Sequence, residues 1–356
     1  MSLSAWVQPY PLIFKRAAGT SRGILRTKET FFLVLEEGGK FGIGECALFR
    51  GLSADDRPDY EEKLQWLCQH IYLSEEELLE ELREFPSIQF GLEQALLSLK
   101  SKDPFLLFPS EFTEGSKGIL INGLIWMGDK EYMLAQIKEK IKEGFSTIKL
   151  KIGAINFQAE LDLLQFIRDH FSEKEITLRV DANGAFSPQN ALQKLDQLAE
   201  FDIHSIEQPI AAKQWGAMED LCRRTPVPIA LDEELIGVFQ NEEKEGILQK
   251  IKPQFIILKP SLVGGIAGSL EWIRLSEKMN IPYWITSALE SNVGLNAIAQ
   301  FTYTLQNPLP QGLGTGGLFT NNISSPLFVE KGQLLYLPNQ TSYHWPKDIL
   351  NEIKKN

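Results

Sequence analysis

An α/β fold is what this sequence predicts: a modified TIM-type (β/α) barrel behind an N-terminal α+β capping domain. Three observations carry the prediction. From about Ile119 onward, short apolar strands alternate with helical segments, which is the pattern of a parallel sheet. Seven strand–helix units can be counted and an eighth starts near Gly312; eight units within about 200 residues suit a closed barrel better than an open sheet. Ahead of them, residues 8–110 lack the alternation and read as strands followed by helices. The expected divisions are 1–110 for the cap, 111–325 for the barrel and 326–356 for a C-terminal segment returning to the cap.

In the cap, Ile24–Arg26 and Glu29–Leu35 read as strands, and a Gly38–Gly39 turn leads into Lys40–Cys46, giving an antiparallel meander. Helices are expected near 56–70, 75–84 and 89–101. The last has Leu92, Ala95, Leu96 and Leu99 at the spacing of one buried face. Pro104 and Pro109 then mark a linker. The barrel strands are expected in ILINGLI, TIKLKI, ITLRVD, IHSIEQ, PIALDE, FIILKP and YWITSA. Helices between and after them are expected at Glu131–Glu143, Phe157–His170, Pro188–Glu200, Gly216–Arg223, Glu242–Gln249, Gly265–Met279 and Val293–Leu305. Gly332–Leu337 has strand character and is expected to join the N-terminal sheet.

Composition narrows the function. The chain has 356 residues, 43% hydrophobic and 23% charged, enough to bury a large core. Its 36 basic and 47 acidic residues sum to −11, which disfavours a nucleic-acid surface but not an anionic small substrate. Cys46, Cys68 and Cys222 show no CxxC spacing and read as reduced thiols, consistent with a cytoplasmic protein. No secretory signal precedes residue 16, and no apolar run is long enough to span a membrane.

The chemistry lies at the C-terminal ends of the barrel strands. Lys151, Asp181, Glu207, Asp232 and Lys259 stand 30, 26, 25 and 27 residues apart, about one strand–helix unit each. Side chains alternate along a strand, so Lys149 shares a face with Lys151, Arg179 with Asp181, and Ser205 with Glu207. The intervening Leu150, Val180, Ile206, Leu231 and Leu258 are apolar and face the helices. The charged set therefore points into the barrel, where isolated charges are costly. A hard divalent cation relieves repulsion among three carboxylates, and an all-oxygen set suits Mg2+. No Cys or His holds an equivalent position, which argues against zinc. Lysines flanking such a site suit removal of a proton alpha to a carboxylate. His204, three residues before Glu207, is expected to face the helices and to be structural. Gly312–Gly316 lacks the Lys-Ser/Thr of a phosphate loop and falls where the eighth strand belongs.

These residues resemble the enolase superfamily, in its muconate-lactonizing-enzyme-like subgroup. The stretches that carry the resemblance are TIKLKIG, LRVDANGAFS, IEQP, ALDEEL and ILKPSLVGG, with INGLIWMG, SALESNVGL and GLGTGGLFTNN beyond them. The resemblance implies a lysine base working with Mg2+, for which Mn2+ can substitute. It assigns Lys151 as general base, Lys149 as its assistant and Lys259 as stabiliser of the anionic intermediate. It assigns Asp181, Glu207 and Asp232 as metal ligands, backed by Asn183 and Glu233, with Arg179 orienting charged groups at the barrel floor. Ser287, Glu290, Gly264 and Gly265 are the implied substrate contacts, together with Arg22 in a lid loop at Thr20–Arg26.

The implied reaction is a metal-assisted syn dehydration through an enediolate, acting on a succinylated hydroxycyclohexadiene carboxylate in menaquinone biosynthesis. Racemisation of N-succinylamino acids or epimerisation of dipeptides is the alternative, using the same two lysines. Dipeptide epimerases of this kind carry an acidic Asp-x-Asp near the eighth strand, and GLGTG has no acid there. A hydroxy-acid dehydratase with a His–Asp pair is disfavoured because TSALES has no His. A non-catalytic binding protein is disfavoured by the intact base and ligand set. Nucleic acid and membrane are not expected partners, and the sequence leaves the oligomeric state open.

Overall fold

The computed structural model describes residues 3–20 and 23–338. Three antiparallel strands open the chain: β1 (Ser4–Thr20), β2 (Gly23–Glu37) and β3 (Lys40–Cys46), in the order β1-β2-β3. Two sequence expectations change here. The two short strands expected within 24–35 are one continuous β2, and β1 ahead of it was not expected. Pro9 and Pro11 fit within β1 because it is an edge strand, where a missing N–H is tolerated. Helices α1 (Tyr60–Gln69), α2 (Glu75–Glu81) and α3 (Pro86–Lys100) follow and cover one face of this sheet.

Close backbone approach fixes α3 on β3. A Cβ at Gly44 would stand 1.8 Å from the Gly91 carbonyl oxygen, and one at Gly42 would stand 2.2 Å from that of Ala95. Helix and strand therefore meet without side chains between them.

The barrel sheet has seven parallel strands. They are β5 (Gly123–Ile125), β6 (Thr147–Lys151), β7 (Thr177–Asp181), β8 (Ile203–Glu207), β9 (Ile229–Leu231), β10 (Phe255–Leu258) and β11 (Tyr283–Ile285), each hydrogen-bonded to the next. Around them lie α4 (Lys130–Lys142), α5 (Phe157–Arg168), α6 (Pro188–Ala199), α7 (Trp215–Arg224), α8 (Asn241–Ile251), α9 (Pro260–Val263), α10 (Gly265–Lys278) and α11 (Asn292–Thr304). The eighth unit is reduced to single bridges: Gly312 pairs with Thr286 after β11, and Gln311 pairs with Ile121 just before β5. These two residues join the ends of the sheet.

The expected strand in ILINGLI is split. Ile119–Leu120 forms β4, which pairs with a C-terminal hairpin of β12 (Leu327–Glu330) and β13 (Gln333–Tyr336), while Gly123 starts the barrel. The C-terminal strand therefore joins β4 and not the N-terminal sheet. The return to the cap is made earlier, where Phe319 bridges Phe14 and Lys15 N donates to Leu318 O. Among the described residues no helix is long and apolar enough to cross a membrane, and Cys46, Cys68 and Cys222 are free thiols.

Buried carboxylates lock the cap to the barrel. Glu45 of β3 accepts hydrogen bonds from Ser291 N (2.9 Å), Ser291 Oγ (2.5 Å) and Gly294 N (2.9 Å), capping the N-terminus of α11 from another part of the chain.

The Gly44 contact gives a stability prediction. Gly44→Ala should destabilise the fold by about 3 kcal/mol, because backbone must move to admit the methyl group. Gly216→Ala, in α7 with open space around it, should instead stabilise by about 0.5–1 kcal/mol. Urea unfolding of both variants checks the contrast.

Candidate active site

The strand register sets the level of the charged side chains. Lys151 pairs with Asp181, Asp181 with Glu207, and Glu207 with Ala230. Asp232 lies two residues beyond Ala230, just past β9, and Lys259 follows the last residue of β10. The expected set thus converges on the C-terminal mouth of the barrel. Asp181, Glu207, Asp232 and Lys149 are buried.

Their charges are neutralised by one another. Lys149 Nζ bridges Asp181 (3.0 Å) and Glu207, with which it makes a short contact. Lys151 Nζ donates to Asp181 Oδ2 (2.9 Å) and Asn183 Oδ1 (2.8 Å). Lys259 Nζ contacts Asp232 closely and lies 3.6 Å from Glu207 Oε1. Burial opposes the charged form of Lys149 and Lys259, but the adjacent carboxylates outweigh it and hold both lysines above their ordinary pKa. Burial likewise opposes ionisation of Asp181, and here Lys149 and Lys151 outweigh it and hold its carboxyl well below the usual range. Glu207 is driven the other way, by burial first and then by the Asp181 charge. Its Oε1 accepts no hydrogen bond, although Lys259 Nζ lies 3.6 Å away.

Buried, all-oxygen and carried on consecutive strands, this donor set fits a hard divalent cation. Among the described residues, no three acidic, His or Cys side chains are gathered closely enough to hold an ion without rearrangement. The bridging positions are taken by the Lys149 and Lys259 ammonium groups. Asn183 links the cluster outward: its N donates to Asp181 Oδ1 (3.0 Å) and its Nδ2 to Glu233 Oε1 (3.1 Å). Asn183 does so from the left-handed region, at φ 43°, which asparagine tolerates better than most residues.

A pocket opens above the cluster, with Lys149, Lys151, Asp181 and Lys259 at its base. Its walls include Phe49 and Leu52 from the cap, Leu124 of β5 and Trp126 just past it, and Leu289 after β11. The sequence reading named none of these apolar residues, since nothing in their pattern separates a pocket wall from core.

Other expected residues fall elsewhere. Ser287 lines the pocket, with Thr315 Oγ1 donating to it at 2.8 Å. Glu290 is fully buried behind Ser287, accepting from Ser287 Oγ (2.6 Å) and, at short range, from Ser261 Oγ; it supports the wall and does not reach the pocket. Gly264 and Gly265 face α3 of the cap: Gln89 Nε2 donates to Gly264 O (2.8 Å), and a Cβ on Gly265 would stand 2.0 Å from Glu93 Oε2. Arg22 lies outside the described residues. Arg179 sits below the carboxylates without hydrogen-bonding to them. Its Nη1 donates to Pro310 O (2.7 Å) and its guanidinium lies 4.0 Å from the Trp284 ring centroid. Burial lowers its pKa to about 10.

His204 corrects a parity argument. The register slips between Leu178–Ile203 and Arg179–Ser205, inserting His204 as a bulge. The bulge turns its ring inward, where it stacks on Phe255 (5.1 Å) and meets Trp284 (6.2 Å) at the barrel floor.

The chain matches the family described as "Enolase C-terminal domain-like" over residues 132–339. An o-succinylbenzoate synthase of Desulfotalea psychrophila is 46% identical over 354 residues, covering 91% of this chain and 96% of that one. The crystal structure of MenC from the same organism superposes with a TM-score of 0.84 at 42% identity, covering 94% of this chain and 100% of the other. The dipeptide epimerase of Enterococcus faecalis, solved with Mg and the dipeptide L-Leu-L-Tyr, shares the fold at a TM-score of 0.79 and 20% identity, covering 95% and 97% of the two chains.

The floor cluster gives a pH prediction. Burial, then the Arg179 charge, depresses His204 from 6.5 to about 4, so the fold favours the neutral ring. Its contribution to stability is complete above pH 6.5 and is lost as pH falls toward 4. His204→Gln should flatten the stability profile across that window, measured by urea unfolding at successive pH values.

Proposed function

Because the chain belongs to the enolase C-terminal domain-like family, we propose that it is an o-succinylbenzoate synthase, a hydro-lyase of menaquinone biosynthesis. It dehydrates 2-succinyl-6-hydroxy-2,4-cyclohexadiene-1-carboxylate to o-succinylbenzoate. The observation that carries the reading is the site's construction: lysines on either side of a carboxylate row, beneath a largely apolar pocket. The segment at the eighth position contributes Gly312, Gly314 and Thr315 to that pocket and no carboxylate, so it offers nothing to hold a substrate ammonium. A carbocyclic acid suits this lining better than a dipeptide.

In this reading the cap spans 1–110 and the barrel 111–325, with the pocket between them. Asp181, Glu207 and Asp232 would hold Mg2+, which Mn2+ could replace. Bound there, the ion would supply positive charge to stabilise the enediolate. Lys149 and Lys259, which neutralise these carboxylates, would give up those contacts to the ion. Asn183 and Glu233 keep Asp181 and Lys151 in place through the hydrogen bonds above.

Lys151 takes the alpha proton on Nζ. The electron pair of the broken C–H bond moves toward the carboxylate, and the negative charge growing there is met by the Lys259 ammonium. The C–O bond on the same face then breaks. Lys151 returns its proton to the departing hydroxide, so water leaves and the ring becomes aromatic. Aromatisation makes the elimination downhill, so a single lysine serves as base and acid.

Lys151→Ala should lower turnover by about a thousandfold or more, the scale of a lost general base, with the fold intact by circular dichroism. The check is the ultraviolet absorbance of the aromatic product; normal turnover by the folded variant would overturn the assignment. EDTA should abolish activity and Mg2+ restore it. Asp181→Asn and Asp232→Asn should each weaken Mg2+ binding in calorimetry, whereas undiminished affinity would place the ion elsewhere.

A further inference from the structure

We propose that Glu93, in the cap, is a positioning residue for Lys259 in the barrel. The proposal rests on the role given to Lys259 above. Lys259 ends β10 and N-caps α9, which is only four residues long. A single helical turn has no stability of its own, so the placement of residues 259–264 must be imposed from outside. One tie comes from within the barrel, where Ser261 Oγ donates to buried Glu290. The other comes from the cap.

Helix α10 begins immediately after α9, and its N-cap is Gly264, which has no side chain to satisfy the first amides. Glu93 satisfies them across the domain boundary, accepting from Ile266 N (2.5 Å) and Ala267 N (2.9 Å). One turn earlier on the same face of α3, Gln89 Nε2 holds Gly264 O at 2.8 Å. Both side chains are buried. Gly264 and Gly265 adopt φ of 96° and 68°, and any Cβ at Gly265 would collide with the Glu93 carboxylate. The glycines are therefore the receptor for the cap's grip. Lys259 lies five residues from Gly264, joined to it by the α9 turn, whose first bonds run from Leu262 N and Val263 N to Lys259 O. Loosening the grip frees the turn, and with it the backbone that aims Lys259.

The test compares Glu93→Gln, Gln89→Leu, Ser98→Ala and Lys259→Ala in the full-length, Mg2+-loaded protein. Ser98→Ala is the structural control, removing a buried hydrogen bond to Ile43 N inside the cap. Glu93→Gln should lower kcat about tenfold or more, because small displacements of a catalytic group are costly, while KM stays within about twofold. Hydrogen–deuterium exchange should rise in the peptide spanning 260–268 and nowhere in the remaining barrel. Gln89→Leu should act in the same direction with a smaller effect, and it carries the test if Glu93→Gln does not fold. Ser98→Ala should leave kcat unchanged. Unaltered kcat and exchange in both Glu93→Gln and Gln89→Leu, with Lys259→Ala inactive, overturns the proposal and leaves the reading of the site standing. Full turnover by Lys259→Ala overturns both.

Discussion

Three carboxylates and three lysines share the mouth of one barrel, and the rest of the molecule is arranged around keeping their charges balanced. Asp181, Glu207 and Asp232 are almost completely removed from water. An isolated charge in such a place would cost several kcal/mol even after relaxation. Each carboxylate instead finds an ammonium group from another strand, and Lys149 and Lys259 each serve two. Neutralisation by lysine is reversible in a way that a packed apolar core is not. In the proposed reaction a divalent cation would take the carboxylates and release the lysines. Folding and the proposed catalysis thus draw on the same six residues.

The barrel alone does not complete this arrangement. Its pocket takes Phe49 and Leu52 from the cap. The cap is held by carboxylates inserted at the N-termini of the two barrel helices that follow β10 and β11: Glu93 at α10 and Glu45 at α11. A helix N-terminus attracts negative charge through its unpaired amides and its dipole. The contacts are therefore directional as well as buried. Gly42, Gly44 and Gly91 add close backbone packing inside the cap, so that α3, which carries Gln89 and Glu93, cannot slide on β3.

Much of this was legible in the sequence, for a physical reason. A parallel barrel repeats one strand and one helix, so a functional residue at each strand end recurs at the length of that unit. The 25–30 residue spacing from Lys151 to Lys259 is that repeat written in chemistry. What was not legible depended on tertiary context. The prolines of β1 are harmless only because the strand lies at an edge. His204 turns inward only because one extra residue is accommodated against β7. Gly264–Gly265 sit in a motif beside the site, but their partners, Gln89 and Glu93, come from a distant chain segment. Pocket walls such as Trp126 and Leu289 have the same character as core residues until the fold shows what they face.

The central claim is that this charge cluster removes an alpha proton and completes a dehydration. The most direct measurement is turnover of the wild-type protein in D2O with Mg2+. It is supplied first with the cyclohexadiene carboxylate and then with N-succinylamino acids and dipeptides. Rapid aromatisation, with little deuterium entering the amino-acid substrates, is the result predicted. Fast alpha-deuteration of an N-succinylamino acid without aromatisation would contradict it, keeping the lysines and the fold but making the protein a racemase.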